Sequence, residues 1–140
     1  MLQHYVTMIL IMVVSGVLSS MWVWADKVSD IRLSLNDIYM ILLMNAFMVF
    51  FMSVLDKQYV WVAGSAIIVL SVLWLIRTQT FISKTQYFQG MIPHHSMAVH
   101  MSKRLLEKDG LTNEQKQFVN NIIQTQAREI EWMQSTYNHK

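Results

Sequence analysis

Three long apolar runs constrain this chain more than any other feature. Tyr5 to Trp24 carries no Asp, Glu, Lys or Arg, and neither does Ile38 to Leu55 or Tyr59 to Ile76. Each is close to the ~20 residues that cross a bilayer core of ~30 Å. A soluble core can hide one such run. Three in succession, with Trp and Tyr near their ends where interfacial belts lie, predict a membrane protein. Hydrophobic residues make up 54% of the chain and charged residues 14%, against roughly 25% charged in a typical soluble domain. With one Pro and four Gly in 140 residues, long helices are expected. The predicted architecture is all-α: a three-span membrane domain over residues 1–77, then an antiparallel helical hairpin over 78–140.

The first run is read as a membrane helix, not as a cleaved leader. No Lys or Arg precedes it and no small-x-small cleavage site appears before Asp26. The linker from Ala25 to Asp37 holds Asp26, Lys27, Asp30, Arg32 and Asp37, and so is expected in water. Asp56-Lys57-Gln58 is short enough to force the second and third spans into an antiparallel hairpin.

Beyond Arg77 the charge density rises, as in a soluble helical appendage. Its first helix is predicted to start near Ser83, to run through Pro93 with a kink and to end near Asp109, with Gly110 supplying a left-handed residue. Thr112-Asn113-Glu114-Gln115 reads as a capping box that opens the second helix. On that helix Val119, Ile122, Ile123, Ile130, Met133 and Tyr137 share one face.

Chemistry concentrates in Met91-Ile92-Pro93-His94-His95-Ser96-Met97-Ala98-Val99-His100-Met101. On a helix, Met91, His94, Ala98, Met101 and Leu105 fall on one seam, with His95 beside it. Counting outward from Gly110 brings Met91, His94 and His95 opposite Gln126, Glu129 and Met133. Imidazole and thioether without thiolate form a soft-to-intermediate donor set, and thioether favours cuprous copper or silver over zinc, magnesium or calcium. The same residues also suit a packed helical core. The absence of cysteine removes disulfides, thiolate sites and cysteine nucleophiles. A net charge of +2 gives no footing for nucleic acid.

Enzyme templates fail. No Glu sits three residues before a His as a di-iron bundle needs, and there is no zinc-protease helix, Walker loop or dinucleotide glycine pattern. Ser96 beside His95 does not amount to a nucleophile and its base. The expected class is therefore non-enzymatic. In the second span Met40, Met44, Met48 and Met52 recur every fourth residue. Such a stripe suits either soft-cation contact or packing by a flexible side chain. Asn45 in the same span is expected to make an interhelical hydrogen bond.

The run Tyr87 to Ala98 resembles the signature of the domain of unknown function family 305, a ferritin-like helical group. The family pattern of Met-Ile-Pro-His-His, then Ala and Met at intervals of three, is met by Met91 to His95, Ala98 and Met101. Its later Ile-Ile, Gln, Glu-Ile and Met are met by Ile122-Ile123, Gln126, Glu129-Ile130 and Met133. The likeness covers residues 78–137, and the preceding spans suggest a membrane-anchored branch. It implies copper binding, with Met91, His94, His95, Met101, Glu129 and Met133 carried over as ligands or their support. Met97 and His100 are further candidates particular to this chain. Many members close a four-helix bundle with two helix pairs, whereas this chain has one, half of such a bundle. The resemblance therefore implies a homo-oligomer or a place in a larger membrane complex.

Three spans put the N terminus and the hairpin on opposite faces of the lipid bilayer. Lys27, Arg32, Arg77 and Lys84 lie on the hairpin's side and Lys57 on the other, which by the positive-inside rule is cytoplasmic. The resemblance implies the extracytoplasmic side, since copper-binding members are commonly exported, and the side is left unresolved with a slight lean that way. The expected function is sequestration or transfer of Cu+ or Ag+, and the alternative is an accessory subunit that docks through its hairpin.

Overall fold

The computed structural model describes residues 2–138, with side chains over 3–136. Among them are five α-helices and no strand: α1 (Leu2–Leu18), α2 (Leu35–Leu55), α3 (Tyr59–Thr78), α4 (Lys84–Leu106) and α5 (Asn113–Asn138). Single 3-10 turns occupy Met21–Trp24 and Val28–Asp30. The chain divides into two compact units. One holds residues up to Ser20 together with Leu35–Ile82, and the other holds Met21–Ser34 together with Ser83 onward.

The stretches Gln3–Trp24, Leu35–Leu55 and Tyr59–Thr78 are each long and apolar enough to cross a membrane. The first apolar run is not one unbroken helix. At its end the Ser19 hydroxyl bonds the Ser15 carbonyl at 2.7 Å and the Ser20 hydroxyl bonds that of Val17 at 3.0 Å. Such local bonds offer the backbone a route out of the helix. The short turn between α2 and α3 forms as expected, with Lys57 at φ 55°. Tyr39 ties the far end of the pair by donating to the Thr80 carbonyl at 2.7 Å. Asn45 does not reach across to another helix: its amide nitrogen bonds the Ile41 carbonyl of its own helix at 2.8 Å.

In the second unit α4 and α5 form the hairpin. Ser83 caps α4 by accepting from the Gln86 N–H at 3.3 Å, and the helix continues through Pro93 to Leu106. It therefore ends a turn before Asp109, while Gly110 takes φ 90° inside the connecting turn. The capping box is reciprocal. The Gln115 N–H donates to Thr112 Oγ1 at 3.2 Å, and the Thr112 N–H donates to Gln115 Oε1 at 2.9 Å. Ile92, Val99, Ile130 and Met133 form the core, with Phe88, Met91 and Ile123 packed against it. Val119 is also buried, and Ile122 is half-buried. The side chain of Tyr137 lies outside the described residues.

The linker departs from expectation. Residues 21–34 form a strap on one side of the hairpin, and Asp30 is only 3% exposed. Its Oδ2 accepts from Ser96 Oγ at 2.7 Å and its Oδ1 from Gln134 Nε2 at 2.8 Å. Four residues earlier, the Asp26 N–H donates to the same Ser96 oxygen at 2.9 Å, and the Asp26 carboxylate pairs with Lys103 Nζ at 2.6 Å. A buried carboxylate is tolerable when donors replace its water. Ser96, wholly buried, is the small hydroxyl that allows the strap to approach. Tyr87, Met101, Leu105, Phe118 and Trp132 of the hairpin remain exposed.

Candidate metal centre

The hairpin brings His95 and Glu129 together. Their Nδ1 and Oε2 atoms are 3.0 Å apart, and the His95 side chain keeps 14% exposure against 47% for Glu129. The distance is that of an ion pair, and Nδ1, buried, makes no hydrogen bond other than to Glu129. Burial pushes the His95 imidazole below its usual 6.5, the Glu129 charge opposes this, and the adjacent His94 adds to the lowering. The imidazole is thereby biased to its neutral form, which is the form that binds metal.

His94 is exposed, with its ring centroid 6.1 Å from that of His95. Counting from Gly110 put His94 and His95 together in the facing set. The structure singles out His95 as the one that reaches Glu129, because adjacent residues on a helix project about 100° apart and only His95 lies on the face turned toward α5. Met91 is half-buried against the core, and Met133 lies within it at 4% exposure. By helical spacing Met91 stands one turn before His95 and Met133 one turn after Glu129, and both fill the interior of the hairpin. Met97 is half-buried, and Met101 is 52% exposed. Met101 stands two turns beyond His94, about 10 Å along the axis, so it lies apart from the His95–Glu129 pair. His100 is half-buried and Gln126 likewise. An open depression of about 290 Å³ lined by Thr125, Arg128, Glu129 and Trp132 gives solvent access to the Glu129 carboxylate.

Among the described residues, no three His, Asp or Glu side chains converge as a hard-metal site would require. The donors brought together are the His95 imidazole and the Glu129 carboxylate. What sequence reasoning missed is the polar cluster under the strap, Asp30 with Ser96 and Gln134. A serine facing inward on α4 was its one signal.

The pattern of the family described as Domain of unknown function (DUF305) matches residues 76–137. An uncharacterised protein, L153, of Acanthamoeba polyphaga mimivirus is 41% identical over 145 residues, covering 96% of this chain and 93% of its own length. The chain belongs to the DUF305 family. The viral relative spans the apolar helices as well as the hairpin, so the join between them is common to both proteins. No solved structure matches. The DUF305 match begins at the end of α3 and takes in all of α4, so the His95–Glu129 pair lies wholly inside it.

Proposed function

We infer that this DUF305 protein is a membrane-anchored binder of a soft monovalent cation, Cu+ or Ag+, which it sequesters or hands on. The observation that carries the reading is the His95 imidazole, largely buried, biased to neutrality and set 3.0 Å from the Glu129 carboxylate. His95 and His94 supply nitrogen donors, and Met91 the nearest thioether. Glu129 supplies a carboxylate that either ligates or offsets the cation's charge. Met133 supports the site from the core, and Met97 and Met101 serve as outer thioethers in loading. No reaction is assigned to it.

The side of the hairpin is left open, with a slight lean to the extracytoplasmic face on the family resemblance, against the count of Lys and Arg. The exposed Phe118 and Trp132 favour assembly with another copy or with a larger membrane complex. They also support the second reading, a docking subunit whose histidines are structural. A Cu+ titration of the detergent-purified chain separates the two. The His94→Ala/His95→Ala variant is expected to lose one equivalent of ion whose affinity falls as pH drops through the histidine range, while its helical circular dichroism is retained. Unchanged stoichiometry and affinity in that variant would sink the metal-binding reading and leave the docking role.

A further inference from the structure

The methionines of the membrane helices are not absorbed by the hairpin site. Two contacts fix how α1 lies on α2. Tyr5 Oη donates to Asp56 Oδ2 at 2.8 Å, and a Cβ on Gly16 would stand 2.9 Å from Met44 Cε and 3.0 Å from Ile41 Cγ1. The helices are antiparallel, and facing residue numbers add to about 60. That register sets Met12 level with Met48 and Met8 level with Met52. Met44 lies opposite Gly16, where the missing side chain leaves room for its thioether. The levels are four residues apart, about 6 Å along the axis.

All five methionines are half-buried. Met40, a turn further along α2, is 58% exposed and has no methionine at its level on α1. The stripe read from α2 alone therefore ends where its partners on α1 end. Asn45 lies on the same side of α2 as Ile41 and Met48 by helical spacing. It is 7% exposed and its Oδ1 has no hydrogen-bond partner. A buried amide oxygen left unpaired at membrane depth is costly, since hydrocarbon offers no donor. Packing accounts for flexible apolar side chains but not for that orphaned oxygen. A cation held among the thioethers would face the negative end of the Asn45 dipole.

We propose that the α1–α2 seam is a second cation site: a ladder of Met8, Met12, Met44, Met48 and Met52 thioethers that takes Cu+ or Ag+ within the membrane domain. Thioethers are neutral donors that select soft monovalent ions over harder divalent ones. They need not lose a proton to bind, so this site is insensitive to pH where an imidazole site is not. It does not rest on the hairpin reading, because its ligands belong to the other unit.

The test uses the full chain in detergent, titrated with Ag+ and, under reductant, with Cu+. In the His94→Ala/His95→Ala background one equivalent of ion is expected to remain, with the same affinity at about pH 5.5 and pH 7.5 and a first shell dominated by sulphur by copper-edge absorption. Adding Met12→Leu/Met48→Leu, a volume-conserving change, should weaken that equivalent by tenfold or more with the helical circular dichroism unchanged. If the double Met variant aggregates, Met12→Leu and Met48→Leu taken singly must each show the loss. Absence of the residual equivalent in the background, or undiminished binding after the Met→Leu changes, overturns the proposal.

Discussion

Ser96 Oγ donates to the buried carboxylate of Asp30 at 2.7 Å. The same oxygen accepts the Asp26 N–H at 2.9 Å, so one hydroxyl pins the strap at two points. Ser96→Ala removes both bonds and leaves a buried carboxylate short of a donor. The expected cost is about 1–3 kcal/mol. Denaturant unfolding of the full chain in detergent measures it, and hydrogen exchange over residues 21–34 should rise. An unchanged exchange rate there would show that the strap is held by other contacts.

The His95 imidazole gives the hairpin a pH dependence of defined sign. Its folded value lies below the usual 6.5 because burial penalises the charged form, an effect that His94 adds to and Glu129 opposes. The unfolded chain therefore takes up the proton first. Above pH 6.5 nothing is lost; as pH falls from there toward the folded value, stability declines. Proton-detected NMR of the His95 ring should report a midpoint below 6.5. Glu129→Gln removes the opposing charge and should move it lower still. A midpoint above 6.5 in the wild-type chain would contradict the burial seen here.

Gly90 faces the strap, and a Cβ there would lie 3.1 Å from Ser34 Oγ and 3.3 Å from Ser34 Cβ. Two effects compete in Gly90→Ala. Helix propensity gains up to about 1 kcal/mol, and a shift of a few tenths of an ångström in Ser34 is lost against it. The net change should be within about 0.5 kcal/mol, as for mild substitutions in general. Gly90→Leu cannot be absorbed and should displace Ser34, read as faster hydrogen exchange in the strap with α5 unaffected.

The capping box makes a local prediction. Thr112→Ala deletes the acceptor for the Gln115 N–H and should cost about 1 kcal/mol. The loss should appear as fraying of the first turn of α5 in amide exchange, with no change in metal affinity.

Much of the fold was legible because its signals are local. The apolar runs, the capping box and the passage of α4 through Pro93 each show in a few neighbouring residues. The strap was not legible. Asp30 in a polar linker reads as solvated, and its partners Ser96 and Gln134 lie 66 and 104 residues away. The choice between His94 and His95 turned on which side of α4 meets α5, and counting outward from the turn gives the level of a residue but not its face. On α1, Met8 and Met12 are four apart on one face and were in plain view. They gain meaning only once Gly16 and Tyr5 set the register with α2.

The strap also imposes an order of events on synthesis. Asp30 emerges well before Ser96 and Gln134, with α2 and α3 made in between. Until α4 and α5 arrive, its carboxylate has only water and the neighbouring Ser29 hydroxyl as donors, and the hairpin in turn closes on residues made long before it. A fragment starting at residue 78 would carry both helices of the hairpin and yet lack Asp26 and Asp30. Its Ser96 hydroxyl, Lys103 and Gln134 would lose these partners, so a soluble excised domain is a different molecule from the one the whole chain builds.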